Sequence, residues 1–158
     1  MRLRVLREEE QLSIKKQPKN TPILQITAED DPKTFLQNLK AKNKDRPIIA
    51  HLNINFLDVR FEPLKDMIKE NVDILLISET KLNDTFPDGQ FTIDGYKEPI
   101  RLDRNRHGGG LMFFVKNDLD CKEIYRFPEK KVEGFFAKLT IRNSKWLIMG
   151  GYNTKRII

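Results

Sequence analysis

Residues 47–79, PIIAHLNINFLDVRFEPLKDMIKENVDILLISE, decide the fold. A β-rich run begins after Pro47, and the continuous apolar run over residues 72–78 has the composition of a second strand. Between the two runs, apolar residues recur at helical spacing, and Pro63 suits the first turn of a helix. These apolar residues are Leu57, Phe61, Leu64 and Ile68. The order strand, helix, strand predicts a βαβ unit with a right-handed crossover and two parallel strands.

Downstream of Glu79, turn-forming residues become frequent, which predicts short antiparallel strands. The candidate strands are residues 91–93, 111–116, 122–127, 132–141 and 145–150. In the fourth of these, Phe135, Ala137, Leu139 and Ile141 alternate with more polar positions, as in a strand with one buried face. The expected fold class is therefore α/β (α+β), with a mixed sheet that starts as βαβ and continues with antiparallel strands.

Upstream of Pro47 the composition changes. Residues 1–46 mix Lys and Glu runs with polar and proline residues, and only Pro32–Lys42 has a helical pattern, with Phe35, Leu36 and Leu39 on one face. We predict a linker or extension with one short helix over residues 1–46, followed by a domain over residues 47–158.

Composition limits the possible classes of protein. The chain has 158 residues and a net charge of +6, from 29 Lys and Arg against 23 Asp and Glu. It has no apolar run of the 18 or more residues that a membrane span needs, so no membrane partner is expected. Arg2, Arg4 and Arg7 run into Glu8 where a signal peptide would be apolar, and the single Cys121 cannot form an internal disulfide. An intracellular location is expected, with nucleus or cytoplasm left open. The positive charge permits attraction to phosphate backbones, although ordinary solubility is the favoured interpretation of charge alone.

Polar side chains end both strands of the predicted parallel pair. They are Asn53 and Asn55 after the first strand and Glu79 after the second. Ligands tend to bind beyond the carboxyl ends of such strands, and a carboxylate there is well placed to coordinate a hard cation. A solvated strand end would place the same residue types there, so the strand-end position alone leaves both interpretations open.

Four short runs, in order, carry a resemblance to a known family. They are residues 51–55 (HLNIN), 76–82 (LISETKL), 108–111 (GGGL) and 150–153 (GGYN). Together they resemble the front half of the endonuclease/exonuclease/phosphatase family. More narrowly, and with residues 84–104, they resemble the apurinic-type endonuclease domain of non-LTR (LINE-like) retrotransposons. The resemblance covers about residues 47–153.

The resemblance implies roles for individual residues. Asn53 matches the asparagine that lies beside the metal and orients the attacked phosphate, and Glu79 matches the glutamate that binds Mg²⁺. Tyr152 matches the tyrosine that hydrogen-bonds a phosphate oxygen, and Asn55 stands where relatives carry a second Asn or Asp near the metal. A phosphodiester of DNA is the implied substrate, and Asn53, Glu79 and Tyr152 are the implied catalytic residues.

The glycine triplet and the arginines before it have two interpretations each. No Gly-Lys-Ser/Thr follows Gly108, Gly109 and Gly110, and the next segment has a strand pattern, so a hairpin loop is favoured over a phosphate cradle. Arg104 and Arg106, with Arg101, are candidates for contact with a nucleic-acid backbone, although a solvated turn would contain the same residue types.

Two family motifs, Gly-Asp-x-Asn and Ser-Asp-His, are absent from this sequence. We therefore expect a truncated Mg²⁺-dependent endonuclease, half of a four-layer α/β sandwich, that is inactive or nearly so alone. The inner face formed by residues 111–115 and 135–141 should then lack its covering sheet, and a C-terminal half of the same domain is a possible partner. The alternatives are a non-catalytic nucleic-acid-binding or interaction remnant and, within the family, a phosphatase or deadenylase ancestry.

Overall fold

A computed structural model describes residues 3–6, 24–25, 31–127 and 132–153. These residues form two helices, α1 (Pro32–Lys42) and α2 (Phe61–Ile68), and a short 3-10 helix (Asp88–Gln90). The strands are β1 (Leu3–Leu6), β2 (Leu24–Gln25), β3 (Ile49–Asn53), β4 (Ile74–Ser78), β5 (Ile100–Leu102), β6 (Leu111–Val115), β7 (Asp120–Arg126), β8 (Val132–Ile141) and β9 (Ser144–Asn153). Neither helix of the described residues is long and apolar enough to cross a bilayer.

The larger sheet has six strands in the order β2-β1-β3-β4-β6-β5. Strands β3 and β4 are parallel and α2 connects them, with Asn53 opposite Ser78 at their carboxyl ends. All other neighbours in this sheet pair antiparallel. The predicted α+β class, with a βαβ start and antiparallel strands following, is therefore confirmed.

Both helices pack on one face of this sheet. Helix α1 begins and ends where the sequence predicts. Its start is fixed by the Asp31 carboxylate, which caps the helix by accepting from Thr34 N at 3.0 Å. It buries Leu36 and Leu39 in the same core as α2. Strand β1 pairs with β3, so residues on both sides of the predicted boundary at Pro47 belong to one packed unit.

A second sheet, in the order β7-β8-β9, covers the other face. The expectation that β6 and residues 135–141 share one uncovered face is wrong, because they lie in different sheets that pack against each other. The rings of Phe113 and Phe135 are 5.3 Å apart, and both side chains are buried. The described residues thus form three layers: helices, the six-stranded sheet and the three-stranded sheet. In the second sheet, the side chains of Ile124, Leu147 and Met149 are apolar and exposed.

Three local predictions need correction. Residues 91–93 form no strand, although Phe91 and Ile93 are buried in the core as irregular backbone. Strand β5 was not predicted, and it forms an antiparallel hairpin with β6. Strand β9 continues beyond residue 150 as far as Asn153, which extends the second sheet to the level of the candidate site.

Candidate active site

A cleft of about 580 Å³ lies beyond the carboxyl end of β4, where the end of β9 reaches it. Its wall combines the loop after β4, the hairpin loop between β5 and β6, and the end of strand β9. The lining residues are Glu79, Lys81, Arg104, Asn105, His107, Gly108 and Tyr152. Three predicted site residues, Glu79, Arg104 and Tyr152, are therefore brought together.

The loops after β3 and β4 hold four non-glycine residues at positive φ. The angles are 50° at Asn55, 80° at Phe56, 58° at Glu79 and 54° at Lys81. Each costs about 1–2 kcal/mol relative to a right-handed conformation, and such strain clusters at functional sites. The two loops stabilise each other, since Phe56 N donates to Glu79 O at 3.2 Å and Leu57 N donates to Thr80 O at 3.0 Å. This mutual pairing fixes the direction in which Glu79 leaves the sheet.

The carboxylate of Glu79 is the centre of the cleft's hydrogen bonding. Its Oε2 accepts from Gly109 N at 3.1 Å. Tyr152 lines the cleft together with this carboxylate, and hydrogen bonding to Glu79, together with partial burial and the charge of Glu79, raises the pKa of Tyr152 above 10.0. The phenol is therefore neutral at physiological pH and remains a hydrogen-bond donor.

The glycine triplet lies in the β5–β6 hairpin, which confirms the hairpin interpretation. Two of its N–H groups are already engaged by carboxylates: Gly109 N by Glu79, and Gly110 N by Glu133 Oε2 at 3.1 Å. Lys81 N donates in return to Gly109 O at 3.1 Å. These two N–H groups are therefore not available as a phosphate cradle, and the loop acts as a connector between carboxylates.

Glu133 is a site residue that the sequence reasoning missed. Only 8% of its side chain is exposed, and its Oε1 lies 3.2 Å from Arg104 Nε. It stands opposite Tyr152 in the β8–β9 register. The sequence did contain a signal for Glu133: it lies two residues before the buried Phe135 in the same strand, so its side chain must point to the same, inner face.

The other predicted residues lie outside the cleft lining. Arg106 forms an ion pair with Asp58 at 3.0 Å and lies over the Phe86 ring, 5.3 Å from its centroid. Asn53 and Asn55 are exposed, and Asn53 is adjacent in the sheet to Ser78, the residue before Glu79.

The two histidines have different environments. His51 Nε2 lies 3.1 Å from Ser78 Oγ, so it is a strand histidine with a neighbouring partner. His107 lies in the β5–β6 loop and contributes to the cleft wall. His107 reaches the cleft wall because the β5–β6 hairpin folds back towards β4.

No protein-family model and no curated protein matches this chain. The chemistry of the cleft is therefore the guide to function. The cleft offers one carboxylate, the cations of Lys81 and Arg104, and a neutral phenol. Among the described residues, no group of three or more Asp, Glu, His or Cys side chains could hold a metal ion. A metal at Glu79 would depend on water and substrate oxygens for most of its ligands.

Proposed function

We propose that the cleft binds a phosphodiester of DNA together with Mg²⁺, in the manner of a Mg²⁺-dependent endonuclease descended from a non-LTR retrotransposon. The observation that carries the proposal is that Glu79 and Tyr152, which belong to two distant motifs, line the same cleft. Arg104 lies in the same wall and adds positive charge. A carboxylate can hold a metal ion, and a cation and a neutral hydroxyl donor can bind phosphate oxygens.

The donors of the cleft fit Mg²⁺, because this ion accepts one or two carboxylates and completes its octahedron with water and phosphate oxygens. Glu79 would hold it, and water and phosphate oxygens would supply the other ligands. When bound, Mg²⁺ would polarise a phosphoryl oxygen and offset the negative charge of the phosphate. Tyr152 would donate a hydrogen bond to a phosphate oxygen.

We expect little or no turnover by this chain alone. Phosphodiester hydrolysis needs a group that positions and deprotonates the attacking water. Among the described residues that line the cleft, the only carboxylate is that of Glu79, which would serve the metal, and the only imidazole is that of His107. Glu133 is nearby, but Arg104 and Gly110 engage its two oxygens. The residues present therefore supply binding groups rather than a complete catalytic set.

Duplex DNA binding followed by fluorescence anisotropy, with and without Mg²⁺, tests the proposal. We expect Mg²⁺ to increase affinity for the wild-type chain and not for Glu79→Gln. Glu62→Gln is the matched control, since Glu62 lies on α2 with 79% of its side chain exposed. Equal Mg²⁺ responses in all three proteins would contradict a metal site at Glu79.

The alternative function is a nucleic-acid-binding module that uses no metal. The net charge of +6 permits attraction to a phosphate backbone without a metal. In that case binding would weaken steeply with salt, yet neither Mg²⁺ nor Glu79→Gln would change it. A plasmid-nicking assay completes the comparison, because nicking by the wild-type chain that Glu79→Gln abolishes would refute the expected inactivity.

A further inference from the structure

A buried carboxylate next to the cleft has a function still to be assigned. The side chain of Glu133 is only 8% exposed. Burial of a carboxylate is costly unless hydrogen bonds and an opposite charge compensate it. Both are present: Oε2 accepts from Gly110 N at 3.1 Å, and Oε1 lies 3.2 Å from Arg104 Nε. Glu133 therefore fixes one side chain and one loop simultaneously.

The partner of Glu133 is oriented in an informative way. A guanidinium has five N–H donors in a rigid fork, and Arg104 approaches Glu133 through Nε. Its two terminal amino groups donate no hydrogen bond to any residue that the structure describes. The Arg104 side chain is 34% exposed and lines the cleft beside Tyr152. The end of the guanidinium that binds oxyanions in pairs is thus left for a ligand.

The hairpin loop is shaped around this ion pair. A Cβ atom at Gly109 would lie 2.7 Å from Arg104 Cδ and 2.9 Å from Glu133 Oε2, and Gly109 has a φ of 80°. Only glycine allows the arginine to cross the loop and reach the carboxylate. The pair is therefore built into the loop and is not a chance contact at the surface.

We propose that Glu133 is a positioning residue that holds Arg104 as a two-pronged binding site for the oxygens of a phosphodiester, beside Tyr152. This inference rests on the proposed function and adds to it the group that grips the substrate phosphate. An approach through Nε leaves the outer N–H of each amino group, which together form the fork of a bidentate contact, without an acceptor among the described residues. Lysine could not replace Arg104, because an ammonium cannot bind the carboxylate and a phosphate with the same fork.

A double-mutant cycle tests the link between the two residues. Duplex DNA binding is measured without Mg²⁺ at several salt concentrations for the wild-type chain, Arg104→Gln, Glu133→Gln and the double variant. We expect Arg104→Gln to weaken binding about fivefold to tenfold and to reduce the salt slope by about 0.9, the value of one phosphate contact. Glu133→Gln keeps an oxygen for Gly110 N and should cause most of the same loss. Arg142→Gln, at the exposed β8–β9 turn, is the matched control and should bind as the wild-type chain does.

The cycle separates positioning from a general structural role. If Glu133 acts through Arg104, Glu133→Gln should cause no further loss of binding in the Arg104→Gln background. Additive losses, or a loss in Arg104→Gln with none in Glu133→Gln, would overturn the inference. Replacement by lysine gives a second variant: Arg104→Lys keeps the charge and should still lose most of the affinity.

A measurement at Arg104 itself separates the inference from the proposed function. The ¹⁵N–¹H signal of Arg104 Nε is followed by NMR while dimethyl phosphate is added. A saturable shift that is absent in Glu133→Gln supports the inference even if DNA does not bind, and only the proposed function then fails. If DNA binding depends on Mg²⁺ and Glu79 while the Arg104 signal never moves, the proposed function stands and the inference is overturned.

Discussion

Replacement of Gly110 by alanine should lower the free energy of unfolding by about 2–5 kcal/mol. Gly110 has a φ of 86°, where an L-residue costs about 1–2 kcal/mol. Its Cβ would also lie well inside 3.0 Å of Thr80 Oγ1, which is closer than real Cβ atoms approach other atoms. Thr80 is fully buried and cannot easily move, so overpacking adds about 1–3 kcal/mol.

Two other glycines separate these contributions. A Cβ at Gly95 would meet nothing within 4 Å, but the φ of Gly95 is 87°, so Gly95→Ala measures the backbone cost alone. A Cβ at Gly89 also meets nothing, and its φ is not in the positive range, so Gly89→Ala should change stability by less than about 0.5 kcal/mol. The expected order of destabilisation is therefore Gly110→Ala, then Gly95→Ala, then Gly89→Ala.

Urea unfolding, followed by circular dichroism, is the assay. With a slope of about 2 kcal/mol per molar urea, the midpoint for Gly110→Ala should fall by roughly 1–2.5 M. Adding Thr80→Ala to Gly110→Ala removes the obstructing oxygen, so the double variant should be destabilised by less than the sum of the two single changes. Equal midpoints for Gly110→Ala and Gly95→Ala would show that the loop yields freely, and would refute the reasoning that the loop is tightly held.

Three further changes have definite expected outcomes. Burial raises the pKa of Asp73, but the hydrogen bond from Lys40 and other contacts outweigh it, and the net pKa lies below 3.8. The charged form therefore stabilises the fold above about pH 3.8, and this contribution is lost as pH falls through the lowered pKa. In urea unfolding at a series of pH values, the free energy of unfolding of Asp73→Asn should therefore fall less at acid pH than that of the wild-type chain. The pKa of Tyr152 should return towards 10.0 in Glu79→Gln, as measured by NMR titration, because the hydrogen bond to Glu79 is the main cause of its rise. Arg101 is 11% exposed and donates to a carboxylate and to backbone carbonyls, so Arg101→Lys should cost about 2–4 kcal/mol of stability, whereas the same change at an exposed arginine should cost little.

The elements defined by local signals could be predicted from the sequence. Helix α1 has a capping aspartate followed by proline, and the β3–α2–β4 unit has two apolar runs around a helical stripe. Membership of β6 and β8 in separate sheets could not be read from the alternation within either strand, because alternation says which face is buried and not what covers it. One signal was available in β6: all five of its residues are apolar and buried, which is typical of a strand covered on both faces.

The candidate site was predictable only in part, for a similar reason. Glu79 and Tyr152 belong to short motifs, so each could be recognised from its own neighbours in the sequence. Glu133 belongs to the site through its contacts with Arg104 and Gly110, which are distant in sequence. Only its inward-facing position in β8 indicates this in the sequence. The exposed position of Asn53 outside the cleft lining depends on side-chain direction at the end of β3, which the spacing of polar residues does not determine.

The hairpin loop makes the cleft dependent on how the two sheets pack. Gly109 N binds the carboxylate of Glu79, which follows β4 in the first sheet, and Gly110 N binds that of Glu133, which belongs to β8 in the second. Two consecutive N–H groups of one loop are thus held by carboxylates from opposite sheets. A shift of one sheet against the other must stretch one of these hydrogen bonds and move Tyr152 relative to Glu79, because Tyr152 stands opposite Glu133. The apolar contact between the sheets, with Phe135 at its centre, therefore sets the geometry of the cleft as well as the stability of the fold.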